Sequence, residues 1–267
     1  MPLPLTDLSP LLPLLREAPF GLITDLDGTI SPLTGAPAEA TVSPACRRHL
    51  EAIAARVALV AVVTGRTAEE ARRIVDLEGV VYVGLHGFSL AMPPVWSKAA
   101  MATYTVLTRS ILDDLGRTIT LPGIVFEDKG PLIALHYRQT PDPAAARQAI
   151  LDAIAAAPMA RRFAMYEGKM MVELRPPIPS VHKGTALRHL ATERGLRSVL
   201  YLGDDVTDAD AFRVLREASA FRGASVVVGS RETPREVLDA ADYRVEGVDD
   251  VERLLGEVAA ILRAQPS

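Results

Sequence analysis

Residues 23–30 read Ile-Thr-Asp-Leu-Asp-Gly-Thr-Ile, so Asp25 and Asp27 stand two positions apart at the end of an apolar run. Two carboxylates this close repel each other, and each resists losing its water. Asp and Gly are common turn formers, so a bare turn would account for the composition. The other account is a cation held between the two side chains. Three further polar clusters bear on the choice: Thr64-Gly65-Arg66, Lys183-Gly184, and Gly203-Asp204-Asp205 followed by Val206-Thr207-Asp208. Three or four carboxylates gathered in one place point to a magnesium-type cation, which prefers oxygen ligands and retains waters. The five histidines are scattered and show no zinc spacing.

For these clusters to meet, the chain must bring distant segments together. Apolar runs predict strands at 20–25, 57–63 and 80–85, with helices at 44–56 and 67–77 between them. Ser43-Pro44 supplies a cap and first turn for the first of these helices. The same alternation resumes at the far end: helix 183–194, strand 198–203, helix 207–217, strand 224–229 and helix 248–263. Thr207 and Asp210 have capping-box spacing for the third of these helical or strand starts. Strands alternating with helices give a parallel α/β sheet, whose ligands bind outside the carboxyl ends of the strands. Each polar cluster falls at such a strand end or at a helix start.

The middle of the chain has a different rhythm. A helix over 99–117 precedes strands in "IVFEDK" and "LIALHYR", and a helix over 143–156 precedes strands in "FAMYEG" and "KMMVELR". Helix-strand-strand twice predicts an antiparallel sheet with helices on one face. This places an inserted domain at 100–178, near Pro93-Pro94 and Pro176-Pro177, within a core formed by 1–99 and 179–267. Alternation turns Met170, Val172 and Leu174 toward the helices and Lys169, Met171, Glu173 and Arg175 the other way. Glu127 and Lys129 share a face by the same rule. That half-polar face is either solvated or a binding surface.

Composition narrows the function classes. The 267 residues are 49% hydrophobic and 23% charged with a net charge of -4, an ordinary globular balance with no basic field for nucleic acid. Cys46 is the single cysteine, which rules out an intrachain disulfide. The start, "MPLPLTDLSPLLPLL", has no basic residue before Arg16 and is broken by prolines, against a signal peptide. No apolar run approaches the roughly 20 residues of a membrane helix. The expectation is a cytoplasmic protein with no membrane partner. Only Lys98, Lys129, Lys169 and Lys183 among the 29 basic residues are lysines, so a lysine here can mark a need for a compact ammonium.

The ordered set D-x-D-G-T, Thr-Gly-Arg, Lys-Gly and G-D-D-x-T-D resembles the haloacid dehalogenase (HAD) superfamily of phosphotransferases. The resemblance implies a Rossmann-like parallel-sheet core with an inserted α+β cap of the C2 type. It further implies that Asp25 is a nucleophile forming an aspartyl phosphate and that Asp27 is the acid that protonates the leaving oxygen and then activates water. Mg²⁺ would be held by the Asp25 carboxylate, the Asp27 carbonyl and Asp204, with Asp205 or Asp208 reached through water. Thr64 and Lys183 would hold phosphoryl oxygens. Asp208 has a second possible task, anchoring Lys183, and Thr29 that of supporting the turn. Gly28 and Gly65 read as backbone requirements, Arg66 as a surface cation or a site residue, and His86 as a loop histidine or a site residue. His182 reads as structural.

Within that superfamily, "EDKG", "ALHYRQTP", "EGKMMVELRP" and Lys183-Gly184 resemble the trehalose-6-phosphate phosphatase family, over residues 21 to about 212. This resemblance implies that Glu127, Lys129 and Glu173 hydrogen-bond sugar hydroxyls, with Lys169, Arg175, Gly28, Arg66 and His86 also lining the substrate site. Thr64 stands where Ser is common in the family, and Val181-His182 before Lys183 is a second small departure. The implied activity is Mg²⁺-dependent hydrolysis of trehalose 6-phosphate by a monomer. Rivals are phosphatases of mannosyl-3-phosphoglycerate or sucrose phosphate, and a phosphomutase, which product analysis would separate. A receiver-type module fits poorly with the large insertion and with Asp27. A silent sugar-phosphate sensor would bind without turnover, which phosphate release from a panel of sugar phosphates would decide.

Overall fold

The runs Leu59–Val63 and Ser198–Gly203 are buried along their whole length, which only a strand covered on both faces requires. The computed structural model describes residues 1–34, 37–90, 92, 96–168, 170–230 and 233–265. In chain order the elements are β1 (Leu3–Pro4), α1 (Leu12–Leu15), β2 (Phe20–Thr24), α2 (Pro44–Ala54), β3 (Leu59–Val63), α3 (Ala68–Val75) and β4 (Val81–Val83). Next come α4 (Lys98–Thr118), β5 (Val125–Asp128), β6 (Ile133–His136), α5 (Pro143–Ala156), β7 (Ala164–Gly168) and β8 (Met171–Arg175). The chain closes with α6 (Lys183–Glu193), β9 (Ser198–Gly203), α7 (Val206–Glu217), β10 (Arg222–Gly229), α8 (Arg235–Ala240), β11 (Tyr243–Glu246) and α9 (Val248–Ala264). Two compact units result, Met1–Leu90 with Val181–Ser267, and Ala91–Ser180. The sequence expectation for the insertion was 100–178; Pro93 and Pro94 lie outside the described residues.

The first unit holds a seven-stranded parallel sheet in the order β1-β11-β10-β9-β2-β3-β4. Alternate residues of each strand serve opposite faces. Leu22, Val60, Val62, Leu200 and Leu202 pack with Leu50 of α2 and Val251 and Leu255 of α9. Ile23, Ala61, Val63, Val199 and Tyr201 pack with Leu187 of α6 and Phe212 of α7. The order reverses at β2, whose neighbours are β9 on one side and β3 on the other. A crevice therefore opens at the carboxyl end of β2, where Asp25 follows.

One local expectation is met: Ser43 caps α2 by accepting from the Cys46 N–H, with Pro44 in the first turn. A capping box of Thr67 and Glu70, which the sequence reading did not name, opens α3. Another expectation needs correction. Helix α7 begins at Val206 with Asp205 as its N-cap, so Thr207 lies inside the helix rather than capping it with Asp210. The apolar start of the chain serves the core, since Leu5, Leu8, Leu11, Leu14 and Leu15 are buried with the α2 and α9 side chains. Strands β1 and β11 escaped the sequence reading because β1 has two residues and β11, Tyr-Arg-Val-Glu, buries only Val245 fully. Among the described residues, no helix is long and apolar enough to cross a membrane.

The second unit is a four-stranded antiparallel sheet in the order β5-β6-β8-β7. Ile133, Leu135, Val172 and Leu174 point to one face and pack with Ile111 and Leu115 of α4 and Ile150 and Ile154 of α5. Ile150 is fully buried, whereas Val106 of α4 is 68% exposed. Ile150→Ala should therefore cost about 2–5 kcal/mol by leaving a cavity. Val106→Ser should stay within about 0.5 kcal/mol of the unmodified protein. Thermal and denaturant melts of the two variants check this assignment of faces; equal losses would contradict it.

Candidate active site

Strand β2 delivers Asp25 to the crevice, where its backbone N–H donates to the Leu202 carbonyl of β9 at 2.8 Å. Carboxylate oxygens of Asp25, Asp204 and Asp208 lie within 4.8 Å of one another, and all three residues are buried. Lys183, at the first turn of α6 and only 1% exposed, reaches both Asp208 Oδ1 at 2.8 Å and Asp25 Oδ2 at 3.0 Å. Formally these four side chains sum to minus two, the deficit that one divalent cation would fill. Donor chemistry agrees, since hard divalent ions take carboxylate oxygen.

The three carboxylates are not equivalent. Asp208 Oδ1 accepts from Lys183 Nζ and from the Tyr201 hydroxyl at 2.7 Å. Its Oδ2 accepts from the backbone N–H groups of Asp204 at 3.1 Å and Asp205 at 3.0 Å. Four donors engage Asp208, which fits an anchor for Lys183 and for the loop after β9 better than a metal ligand. Asp25 and Asp204 are the stronger candidates for holding a metal. Asp204 Oδ1 accepts from Thr29 Oγ1 at 3.3 Å, so Thr29 does more than support its turn. Gly28 adopts φ +83°, and a Cβ there would lie 2.2 Å from Asp204 Oδ2. The Asp-Gly-Thr loop thus packs directly on Asp204, an approach only glycine permits.

Electrostatics follow from this crowding. Burial pushes the Asp25 carboxyl well above the ordinary carboxylate range; Lys183 opposes the shift, and Asp208, Asp204 and Asp27 reinforce it. Burial works to lower Lys183, but Asp208 and Asp25 outweigh it and hold the ammonium above its usual range. The Tyr201 phenol is likewise raised, by burial first and then by Asp208, and stays a donor.

The side chains of Asp27 and Asp205 lie outside the carboxylate cluster. Arg66 Nε and Nη2 donate to Asp27 Oδ2 at 2.7 Å and Oδ1 at 2.8 Å, a two-pronged contact that a guanidinium is shaped for. Arg66 is therefore a partner of Asp27 and not a surface cation. Asp205 stands at the α7 N-cap, outside the three-carboxylate cluster, and its backbone N–H donates to Asp208 Oδ2. Thr64 is buried after β3, and its Oγ1 accepts from the Arg66 N–H at 3.2 Å. His86 N–H donates to the Thr64 carbonyl at 2.9 Å, and a Cβ on Gly65 would come within 2.7 Å of the His86 ring. Leu85 and His86 both hold left-handed φ, 56° and 55°, and this turn lays the imidazole on the Thr-Gly-Arg loop. His182 N–H donates to Thr185 Oγ1 at 3.0 Å as α6 begins, a structural task, and burial lowers its imidazole pKa.

The second unit carries its own polar cluster. Lys129 Nζ lies 3.1 Å from Glu173 Oε1 and 3.5 Å from Glu127 Oε2. Arg175 Nε donates to Glu173 Oε2, and its guanidinium lies 4.4 Å from the centre of the Tyr166 ring. Glu173 is fully buried. Lys169 lies outside the described residues. Tyr201, Tyr166 and His136 were missed from sequence. The signal for Tyr201 was a phenol inside the buried run "SVLYLG", which needs a hydrogen-bond partner.

A parallel sheet with an aspartate pair at its reversal point, interrupted by an α+β unit, is the haloacid dehalogenase type of fold. The C-terminal domain of Candida albicans trehalose-6-phosphate phosphatase shares it, with TM-score 0.77 over 97% of this chain and 98% of that one at 21% identity. More specifically, the chain belongs to the trehalose-phosphatase family, whose sequence model matches residues 23–249. A trehalose-phosphate phosphatase of Mycobacterium marinum is 32% identical over 249 residues, covering 89% of this chain and 61% of its own length. A Mycobacterium tuberculosis protein named as an uncharacterized glycosyl hydrolase is 31% identical over 249 residues, 90% of this chain but 18% of its own length. The chain thus spans 61% of the first of these two mycobacterial relatives and 18% of the second.

Two outcomes follow from the cluster. Asp208→Asn would turn an amide N–H₂ toward existing donors and break a buried ion pair, costing about 3–5 kcal/mol, readable as a lower melting temperature. The second concerns a cation. The folded pKa of Asp25 lies above its unfolded value, so the metal-free protein gains stability from a proton there as pH falls and loses that contribution as pH rises through the folded pKa. A divalent cation competes with that proton. Millimolar Mg²⁺ should raise the melting temperature more at higher pH than at lower pH, and Asp204→Asn should remove most of the shift.

Proposed function

We propose that the chain is a Mg²⁺-dependent phosphatase that hydrolyses trehalose 6-phosphate to trehalose and phosphate. The observation that carries this reading is Asp25, at the carboxyl end of strand β2 and 3.0 Å from a buried lysine, in a chain of the trehalose-phosphatase family. Asp25 attacks phosphorus, forming an Asp–O–P bond as the bond to the sugar oxygen breaks. Asp27 gives its proton to that oxygen, since a sugar alkoxide is a poor leaving group. Asp27 then takes a proton from water, the water attacks the aspartyl phosphate, and inorganic phosphate leaves.

The remaining side chains orient these groups. Lys183 and the Thr64 hydroxyl hold phosphoryl oxygens, with the Gly28 backbone, in the loop that carries Asp25 and Asp27, as a further substrate contact. Arg66 holds the Asp27 carboxylate through both oxygens in the resting site, and this contact opens before Asp27 carries the proton it gives to the leaving oxygen; His86 supports Thr64 by packing on its loop. Asp25 and Asp204 would hold the cation, with the Asp27 carbonyl and either Asp205 or Asp208 as further candidates. When bound, Mg²⁺ neutralises the charges that would keep a carboxylate and a phosphate ester apart.

On the second unit, Glu127, Lys129, Glu173 and Arg175, with Lys169, read the sugar. Carboxylate and ammonium side by side suit hydroxyls, which both donate and accept. The setting we propose is a cytoplasmic monomer in trehalose biosynthesis; the lone buried thiol of Cys46 supports a reducing compartment.

The test is phosphate release from a panel of sugar phosphates with and without Mg²⁺. Trehalose 6-phosphate should be the preferred ester. Preference for sucrose phosphate or mannosyl-3-phosphoglycerate would replace the substrate, and binding without release would identify a sensor. Asp25→Asn should abolish turnover in a folded protein. Lys183→Arg swaps a compact ammonium for a planar fork and should cost at least tenfold in kcat/KM, about 1.4 kcal/mol. Glu127→Ala or Glu173→Ala should lower the ratio of kcat/KM for the sugar ester over a small aryl phosphate by roughly ten- to a hundredfold, since a hydrogen bond to a charged group contributes about 1.5–3 kcal/mol.

A further inference from the structure

The polar face of the second unit's sheet is an ordered string of contacts. Register places Glu127, Ala134, Glu173 and Tyr166 in one row across β5, β6, β8 and β7. Only a methyl group, that of Ala134, stands between the two carboxylates in this row. Lys129 joins them, and Arg175 secures the far side of Glu173. The near end is closed by His136, which lies two residues beyond Ala134 on β6 and therefore on the same face. Its Nε2 is 2.7 Å from Glu127 Oε2, a diagonal cross-strand contact.

An ionised carboxylate only accepts, so Nε2 carries the proton in this contact. Apart from His136, the string holds two carboxylates and two cations, Glu127 and Glu173 with Lys129 and Arg175. Glu127 Oε2 thus takes Lys129 at 3.5 Å and His136 at 2.7 Å, so His136 is the closer of the two. The neighbour directly opposite, Ala134, has no side chain that could hold a glutamate in one rotamer. A carboxylate on three rotatable bonds loses orientation quickly without such a partner.

We infer that His136 is a positioning residue: it fixes the Glu127 carboxylate in the orientation that reads a sugar hydroxyl, and so contributes to selecting a sugar ester over esters without hydroxyls. This rests on the sugar-reading role proposed above for Glu127. A preset carboxylate costs less ordering when the ligand arrives.

The experiment compares His136→Ala, His136→Gln, His136→Asn, Glu127→Ala and the double variant His136→Ala/Glu127→Ala, each checked for folding by its melting temperature. The readout is the ratio of kcat/KM for trehalose 6-phosphate over a small aryl phosphate. His136→Ala should lower that ratio about five- to tenfold, mainly through KM. Gln places an amide N–H near the Nε2 position and should restore most of it, whereas the shorter Asn should not. Because His136 acts through Glu127, adding His136→Ala to Glu127→Ala should change the ratio less than twofold. Losses that multiply in the double variant would overturn the inference, as would equal ratios for the Gln and Asn variants. If Glu127→Ala lowered the ratio and His136→Ala did not, the inference alone would fall. If Glu127→Ala left the ratio unchanged, the sugar-reading role itself would fall, and the inference with it.

Discussion

Lys183 is an ammonium with almost no exposure to water, and its burial is tolerable only because Asp208 and Asp25 lie within 3.0 Å. This arrangement fixes much else. Asp208 must be ionised and immobile to serve the lysine, so Tyr201 and the N–H groups of Asp204 and Asp205 are turned onto it. Those same N–H groups belong to the loop that presents Asp204. A single buried lysine thereby ties the end of β9, the start of α6 and the start of α7 to the end of β2. Removing one partner would leave a buried charge uncompensated, a far larger penalty than the pair's own net contribution.

The parallel sheet makes this convergence possible. Residues 25, 64, 183 and 204 are far apart in sequence, yet three of them follow neighbouring strands and the fourth opens a helix that packs on them. Helices on both faces bury β2, β3 and β9 along their whole length, so their polar side chains have nowhere to gather except at the strand ends. The left-handed turn at Leu85 and His86 then spends backbone strain to press an imidazole against Gly65. Strain of that kind persists only where surrounding contacts over-determine it, and here it fixes the loop that carries Thr64 and Arg66.

The sequence made the architecture and the Asp25–Lys183–Asp204 constellation legible, because both depend on residue type and on period. Strand ends follow from where an apolar run stops, and a carboxylate just beyond one is visible at once. What stayed hidden depends on side-chain reach. Nothing in spacing says that Arg66 turns its fork onto Asp27 rather than to solvent, or that Asp208 and not Asp205 joins the cluster. The α7 start shows the reason: Thr207 and Asp205 are both good caps, and the one chosen is the one whose N–H can meet Asp208. Likewise, "LIALHYR" shows a histidine on a strand, but only the β5–β6 register brings it to Glu127.

The choice between lysine and arginine follows one rule across both units. In a chain where only four of the 29 basic residues are lysines, two of them, Lys129 and Lys183, are buried and each bridges two carboxylates. Lys98 is exposed at the start of α4. A tetrahedral ammonium can aim separate N–H bonds at acceptors on two different elements, while a planar guanidinium is suited to one carboxylate approached edge-on. The arginines behave accordingly, with Arg66 forked onto Asp27 and Arg147 onto Glu167. Bridging ammonium groups hold pairs of carboxylates that would otherwise repel, and a polar ligand can exchange places with one of their contacts without leaving a charge bare. The geometry at Asp25 and the geometry at Glu127 are, in that sense, two uses of one device.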